Sequence, residues 1–132
     1  GQVSFPGGRM EHGDLDIAAT ALRETHEEVG ITRDDVDVIG YLDPMPTITG
    51  YAVTPVVGLI ESSVELRLDT KEVACAFEVP LGYLLDPANR RIGHRDVHGR
   101  KMPMVEFHYA GQRIWGATAF IILQFLELVR KQ

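Results

Sequence analysis

The chain of 132 residues is 45% hydrophobic, enough apolar material for one compact core, and contains no low-complexity tract or internal repeat. Its formal net charge of −6 argues against a nucleic-acid groove spread over the surface. No apolar run approaches the roughly 18 residues needed to span a bilayer.

In chain order, "QVSF" (2–5) alternates weakly and reads as a short strand ending at Pro6. It lies one step from a start without Met, and the expectation is that some N-terminal residues of the domain precede it. "PGG" forces a loop, and Asp14 and Asp16 are both candidate N-caps for an alanine-rich helix that Gly30 stops. Strands follow at Val36–Leu42 and Tyr51–Ile60, joined by the Pro-rich loop "DPMPTITG". "VACAFEV" reads as a further strand before Pro80, and "LGYLL" leads into a turn at "DPANR". Within that apolar run Cys75, the lone cysteine, reads as a buried structural thiol that excludes an internal disulfide. His98-Gly99 turns a hairpin between Ile92–Val97 and Met102–Tyr109, and "AGQ" turns the chain again before "RIW". A second helix, Gly116–Lys131, is apolar on more than one face. Helices mixed with hairpins and crossovers point to the α/β (α+β) class, a mixed β-sheet between helices in a single domain over 1–132. With no leader-like segment or retention address, a cytoplasmic protein is the expectation.

The first helix holds the chemistry. With Ile17 as the origin of a helical wheel, Ala18, Ala21, Leu22, Thr25 and Val29 fall on one side and make a core face. Glu24, Glu27 and Glu28 run along the edge of that face instead of opposite it, and Glu28 overlaps it. Like charges at i,i+3 and i,i+4 each destabilise a helix by roughly 0.2–0.5 kcal/mol, and the last turn disfavours anions further. Arg23, four residues before Glu27, relieves one carboxylate but not three. A hard divalent cation would convert the repulsion into coordination. A solvent-exposed acidic helix end is the other reading, and the wheel alone does not separate them.

The flanking residues do more. "GGRMEHGDLDIAATALRETHEEVGI" resembles the Nudix box, G-x5-E-x7-R-E-U-x-E-E-x-G-U, with matches at Arg23, Glu24, Glu27, Glu28, Gly30 and Ile31. Thr25 replaces an aliphatic residue, one extra residue separates Gly8 from Arg23, and Asp14 best fills the first acidic position. "GQVSFPGG", "YLDPMPTITGYAVTPVVG", "EVPLGYLL" and "RIWGATAFIIL" are similar to the coenzyme A pyrophosphatase branch of Nudix hydrolases, so the resemblance covers nearly the whole chain.

The resemblance implies a Nudix-type α/β/α sandwich and a hydrolase that uses Mg²⁺ or Mn²⁺ to cleave coenzyme A or acyl-CoA into phosphopantetheine and adenosine bisphosphate. ADP-ribose or another nucleoside diphosphate derivative is the alternative substrate, and a non-catalytic nucleotide-binding module is a third reading. By the same resemblance Glu24 and Glu28 are metal ligands, and Glu27 is a further ligand or activates water. The Gly7 carbonyl is the backbone ligand, and Arg23 orients the glutamates. Glu72, before "VACAFEV", is the candidate acid from outside the box, beside the alternative of an ordinary loop glutamate. Glu61, Glu65, Glu78 and Glu106 are weaker candidates. Arg95 and Arg100, in the basic segment from Arg90 to Lys101, are candidate contacts for an extra substrate phosphate, unless the hairpin is merely solvated. The partner implied is a small-molecule diphosphate, with no nucleic acid, no membrane, and a homodimer as an allowed assembly.

Overall fold

The computed structural model describes residues 2–47 and 50–131; positions 48 and 49, in the expected Pro-rich loop, and the two terminal positions lie outside the described residues. Backbone contacts divide the chain into two compact units, Pro6–Phe77 and Gly1–Phe5 with Glu78–Gln132.

The unit Pro6–Phe77 contains α1 (Ile17–Val29), β1 (Asp37–Tyr41), β2 (Met45–Pro46), β3 (Ala52–Val53) and β4 (Val56–Leu59). Asp16 caps α1 by accepting from the Ala19 N–H at 2.8 Å, so of the two candidate caps Asp16 serves. Gly30 ends the helix at φ 77°, a left-handed angle that favours glycine. β1 pairs antiparallel with β4, and β2 with β3. The expected strand Tyr51–Ile60 divides because Pro55 carries no N–H for a ladder; its carbonyl instead accepts from Leu42 N–H at 2.9 Å. Among the described residues of this unit, Ile31, Leu42 and Met45 are the buried apolar ones.

The other unit contains α2 (Leu81–Leu85), β5 (Arg90–Val97), β6 (Arg100–Tyr109), β7 (Gln112–Ile114) and α3 (Gly116–Arg130). The three strands form one antiparallel sheet in the order β5-β6-β7. His98 and Gly99 both have positive φ, which closes the β5–β6 hairpin as expected, and Ala110-Gly111 closes the next. Phe107 and Ile114 are paired neighbours on one sheet face and are fully buried, as is Leu126 of α3. Ala119, Ile122 and Leu126 recur at helical spacing and form the buried stripe of α3.

Among the described residues, three α-helices and three small antiparallel sheets make an α+β protein, the expected class. No parallel pair occurs among the described residues. Two expected strands are absent. Residues 2–5 join no ladder, and the Val3 carbonyl accepts from the Thr118 hydroxyl at 2.8 Å. "VACAFEV" is also irregular: Val73, Phe77 and Val79 are half-buried while Ala74, Cys75 and Ala76 are exposed. Cys75 is therefore an exposed free thiol, not a buried one. Small side chains gain little by burial, so nothing forces this run onto a sheet.

Candidate active site

The loop before α1 is fastened to the helix residue by residue. The Gly7 N–H donates to Glu28 Oε2 at 2.9 Å. The Gly8 Cα lies so close to the Glu24 carboxylate that a Cβ there would overlap Glu24 Oε1. The Arg9 carbonyl accepts from Arg23 Nη2 at 3.0 Å. Thr20, one turn before Glu24 and bonded to Asp14 of this loop, is buried, whereas Ile17 of the expected core face is 44% exposed. The predicted core face thus gives way on one side to the loop.

Arg23 is the centre of the charge network. Its Nε donates to Asp14 Oδ1 at 3.1 Å and its Nη2 to Asp14 Oδ2 at 3.1 Å. Its Nη1 donates to Glu24 Oε1 at 3.2 Å and to both oxygens of Glu27 at 3.3 Å, with Glu11 at 3.6 Å. Asp14, whose side chain is 7% exposed, also accepts from Glu11 N–H and the Thr20 hydroxyl. The Arg23 hydrogen bonds, then the Glu11 backbone bond, hold its carboxyl down to about 2, so it stays ionised as the fixed partner of Arg23. Asp14 thereby orients Arg23, which in turn orients Glu24 and Glu27.

Glu28 behaves in the opposite way. Burial first, then the charges of Glu24, Glu72 and Glu27, raise its carboxyl above its ordinary value, with the Gly7 hydrogen bond opposing. Glu72 reaches this group for a local reason. Arg67 and Asp69 donate backbone N–H groups to the Val29 and Glu28 carbonyls at 2.8 and 2.9 Å, satisfying two orphan carbonyls of the helix end. Asp69 then starts the turn that carries Glu72, whose N–H returns to the Asp69 carbonyl at 3.0 Å.

The structure thus brings Glu24, Glu27, Glu28, Arg23, Gly7 and Glu72 into one neighbourhood. Among the described residues no three acidic, histidine or cysteine side chains form a ready-made metal cage. The donor set nevertheless suits a hard divalent cation, because hard oxygen ligands predominate and the mutual repulsion raising Glu28 would be relieved by positive charge. Glu24 and Glu28, with Glu27, are the residues able to hold one.

Arg95 and Arg100 lie in the other unit, on one face of the β5–β6 hairpin, opposite Met102 and Val97 respectively. A cleft of about 260 Å³ there is lined by His94, Arg95, Met104, Glu106, Arg113 and Trp115; Arg100 is not among its walls. The sequence did not single out Arg113, and Glu106 stood there only among the weaker acid candidates. The available signal was alternation, since Glu106 and His108 are two residues apart on β6 and Arg113 of β7 pairs with His108.

Fold and site together define an α+β protein in which a glycine loop is fastened to a carboxylate-rich helix. The NUDIX domain profile matches residues 1–98. The chain is 41% identical over 98% of its length to a protein of Photorhabdus laumondii named uncharacterized Nudix hydrolase NudL, covering 70% of that protein. Proteins of the same name from Cronobacter sakazakii and Yersinia pestis are 42% and 40% identical over 92% and 98% of the chain. The chain spans 64% and 65% of their respective lengths. It belongs to the Nudix hydrolase family, whose members act on small-molecule diphosphates and generally use divalent metal ions. No helix among the described residues is long and apolar enough to cross a membrane.

Proposed function

We propose that this chain carries out divalent-cation-dependent hydrolysis of the diphosphate bond of coenzyme A or its thioesters, releasing phosphopantetheine and adenosine bisphosphate. The observation that carries the reading is the three-point fastening of Gly7, Gly8 and Arg9 to Glu28, Glu24 and Arg23. It gathers carboxylates that repel one another on a bare helix. Glu24 and Glu28, with the Gly7 carbonyl, would hold Mg²⁺ or Mn²⁺. The cation would supply charge neutralisation for the diphosphate and acidify a bound water.

The remaining work falls to the chain's own groups. Glu27, with a 54% exposed side chain, is the proposed general base. One of its oxygens takes the proton of the attacking water as the new O–P bond forms and the bridging P–O bond breaks. Arg23 holds the Glu27 carboxylate in place by two hydrogen bonds from Nη1. Glu72 is the alternative proton acceptor, carried beside Glu28 by a turn docked on the helix end. Arg95 and Arg100 are proposed phosphate contacts within their own unit, and the cytoplasm is the proposed compartment.

Incubating the chain with coenzyme A or ADP-ribose and Mg²⁺, with products identified by mass spectrometry, tests the proposal. Phosphopantetheine and adenosine bisphosphate should accumulate from coenzyme A. Glu27→Gln and Glu28→Gln should each fold and lose turnover by roughly 10²–10⁴-fold. Cleavage of ADP-ribose alone would overturn the substrate assignment, and full activity in either variant would overturn the site.

A further inference from the structure

The face of the β5–β7 sheet opposite Phe107 and Ile114 carries a concentration of cations. Strand alternation and register put Arg91, Arg95, Arg100 and Arg113 on it, together with Glu106 and His108. Glu106 is 8% exposed, and both of its oxygens are committed. Oε2 accepts from Arg113 Nε and Nη2 at 3.1 and 2.9 Å, and Oε1 meets His108 Nε2 at 2.7 Å. Gly93 makes room for this carboxylate, since a Cβ there would lie 2.5 Å from Glu106 Oε2. Among the described residues, no carboxylate lies within ion-pair distance of Arg91, Arg95 or Arg100.

Arg113 is fixed from two sides. Glu106 grips one edge of its guanidinium, and the plane lies over the Trp115 ring, 4.8 Å from the centroid. Its Nη1 has no protein acceptor among the described residues. The half-exposed Arg113 and the exposed Arg95 both border the cleft of about 260 Å³, with Met104 and Trp115 as its apolar walls. Two guanidiniums with one buried carboxylate between them leave net positive charge facing a small concavity. A dianion with three terminal oxygens can take forked N–H donors from both arginines, and the Trp115–Met104 wall suits the organic group attached to it.

We propose that this cleft is an anion site for a phosphomonoester-bearing small molecule. Arg113 and Arg95 contact the phosphate, and Glu106 positions Arg113. The site shares Arg95 with the substrate contacts proposed above, but it does not depend on hydrolysis and is tested without it.

Isothermal titration calorimetry in EDTA, with adenosine 3′,5′-bisphosphate as probe and adenosine as control, reads the site while turnover is off. The wild-type chain should bind the bisphosphate and not adenosine. Arg95→Gln and Arg113→Gln should each weaken binding by about tenfold or more. Arg113→Lys should not restore it, because lysine lacks the planar fork held by Glu106. Arg130→Gln, at the end of α3, should bind as the wild type does. If Arg113→Gln does not fold, Arg95→Gln decides the matter, since its exposed side chain has no ion-pair partner among the described residues. Absence of binding in the wild-type chain, equal binding of adenosine, or unchanged affinity in Arg95→Gln overturns the site. Glu28→Gln separates the two proposals: it should abolish hydrolysis and leave bisphosphate binding in EDTA unaltered.

Discussion

At the scale of single residues, the acidic site depends on a missing side chain. The atom that a Gly8 Cβ would overlap is the far end of a flexible glutamate, not backbone. Gly8→Ala should therefore leave the melting temperature nearly unchanged while displacing the Glu24 carboxylate. Manganese affinity, followed by electron paramagnetic resonance of free Mn²⁺, should fall by about 10–100-fold. A variant that binds Mn²⁺ like the wild type would remove Glu24 from the ligand set. Glu106 supports a second expectation. Hydrogen bonds from Arg113, then from His108, hold its carboxyl below its ordinary value of 4.5. A lowered folded value means that the unfolded chain binds more protons, so this contribution is full above 4.5 and fades as pH falls through the lower folded value. Glu106→Gln should thus cost on the order of 2 kcal/mol at neutral pH. The gap to wild type should close in urea melts as the pH drops below the usual carboxylate range; a gap independent of pH would assign the loss to packing. The three glutamates and Arg23 were legible because helix periodicity and the box spacing both single them out. The role of Asp14 was not, since its contact with Arg23 spans nine residues and depends on the path of the loop.

At the scale of elements, legibility followed the strength of local chemistry. α1 and the His98-Gly99 hairpin carry their own start or stop signals, α3 a long apolar run, and all three form near the expected bounds. The segments 2–5 and 73–79 carry only a weak alternation and a short apolar run, which fit a strand or an irregular run equally well, and both are irregular. What holds the end of α1 was hidden because its partners, the N–H groups of Arg67 and Asp69, lie about forty residues away. That docking makes Gly30 far less replaceable than Gly8. A Cβ at Gly30 would lie 2.8 Å from the Arg67 carbonyl oxygen and 2.9 Å from its nitrogen, and the φ of 77° disfavours any L side chain. Gly30→Ala should lose about 1–3 kcal/mol in denaturant unfolding. Amide exchange at Arg67 and Asp69 should quicken, because their acceptor carbonyls shift with the helix end. Protection at these two amides equal to wild type would mean that the 67–69 segment is held by something other than α1.

At the scale of the whole molecule, the charge of −6 conceals a division: Pro6–Phe77 holds fourteen of the nineteen acidic residues and five of the thirteen lysines and arginines. Within it the charges of Glu24, Glu72 and Glu27 already act against the ionisation of Glu28. Two kinds of cation should relieve this in distinguishable ways. Raising NaCl in EDTA from about 0.01 to 0.15 M shortens the screening length from roughly 30 to 8 Å. That should raise the melting temperature gradually, without saturation at any stoichiometry. A divalent ion held by the glutamates should instead give a saturable rise, worth about 2.7 kcal/mol at a concentration 100 times its dissociation constant. Once Mg²⁺ is bound, the response to NaCl should shrink, because much of the repulsion that salt screens has been neutralised at its source. Glu28→Gln offers the internal comparison. Removing a carboxylate whose ionisation is already disfavoured should leave the protein in EDTA at least as stable as wild type, yet abolish the Mg²⁺-dependent rise. Differential scanning calorimetry of both proteins across the two titrations measures every term. If Mg²⁺ and NaCl act identically at matched ionic strength, the glutamates are an acidic surface and not a binding site. If Glu28→Gln keeps the saturable rise, the ion sits elsewhere in the molecule.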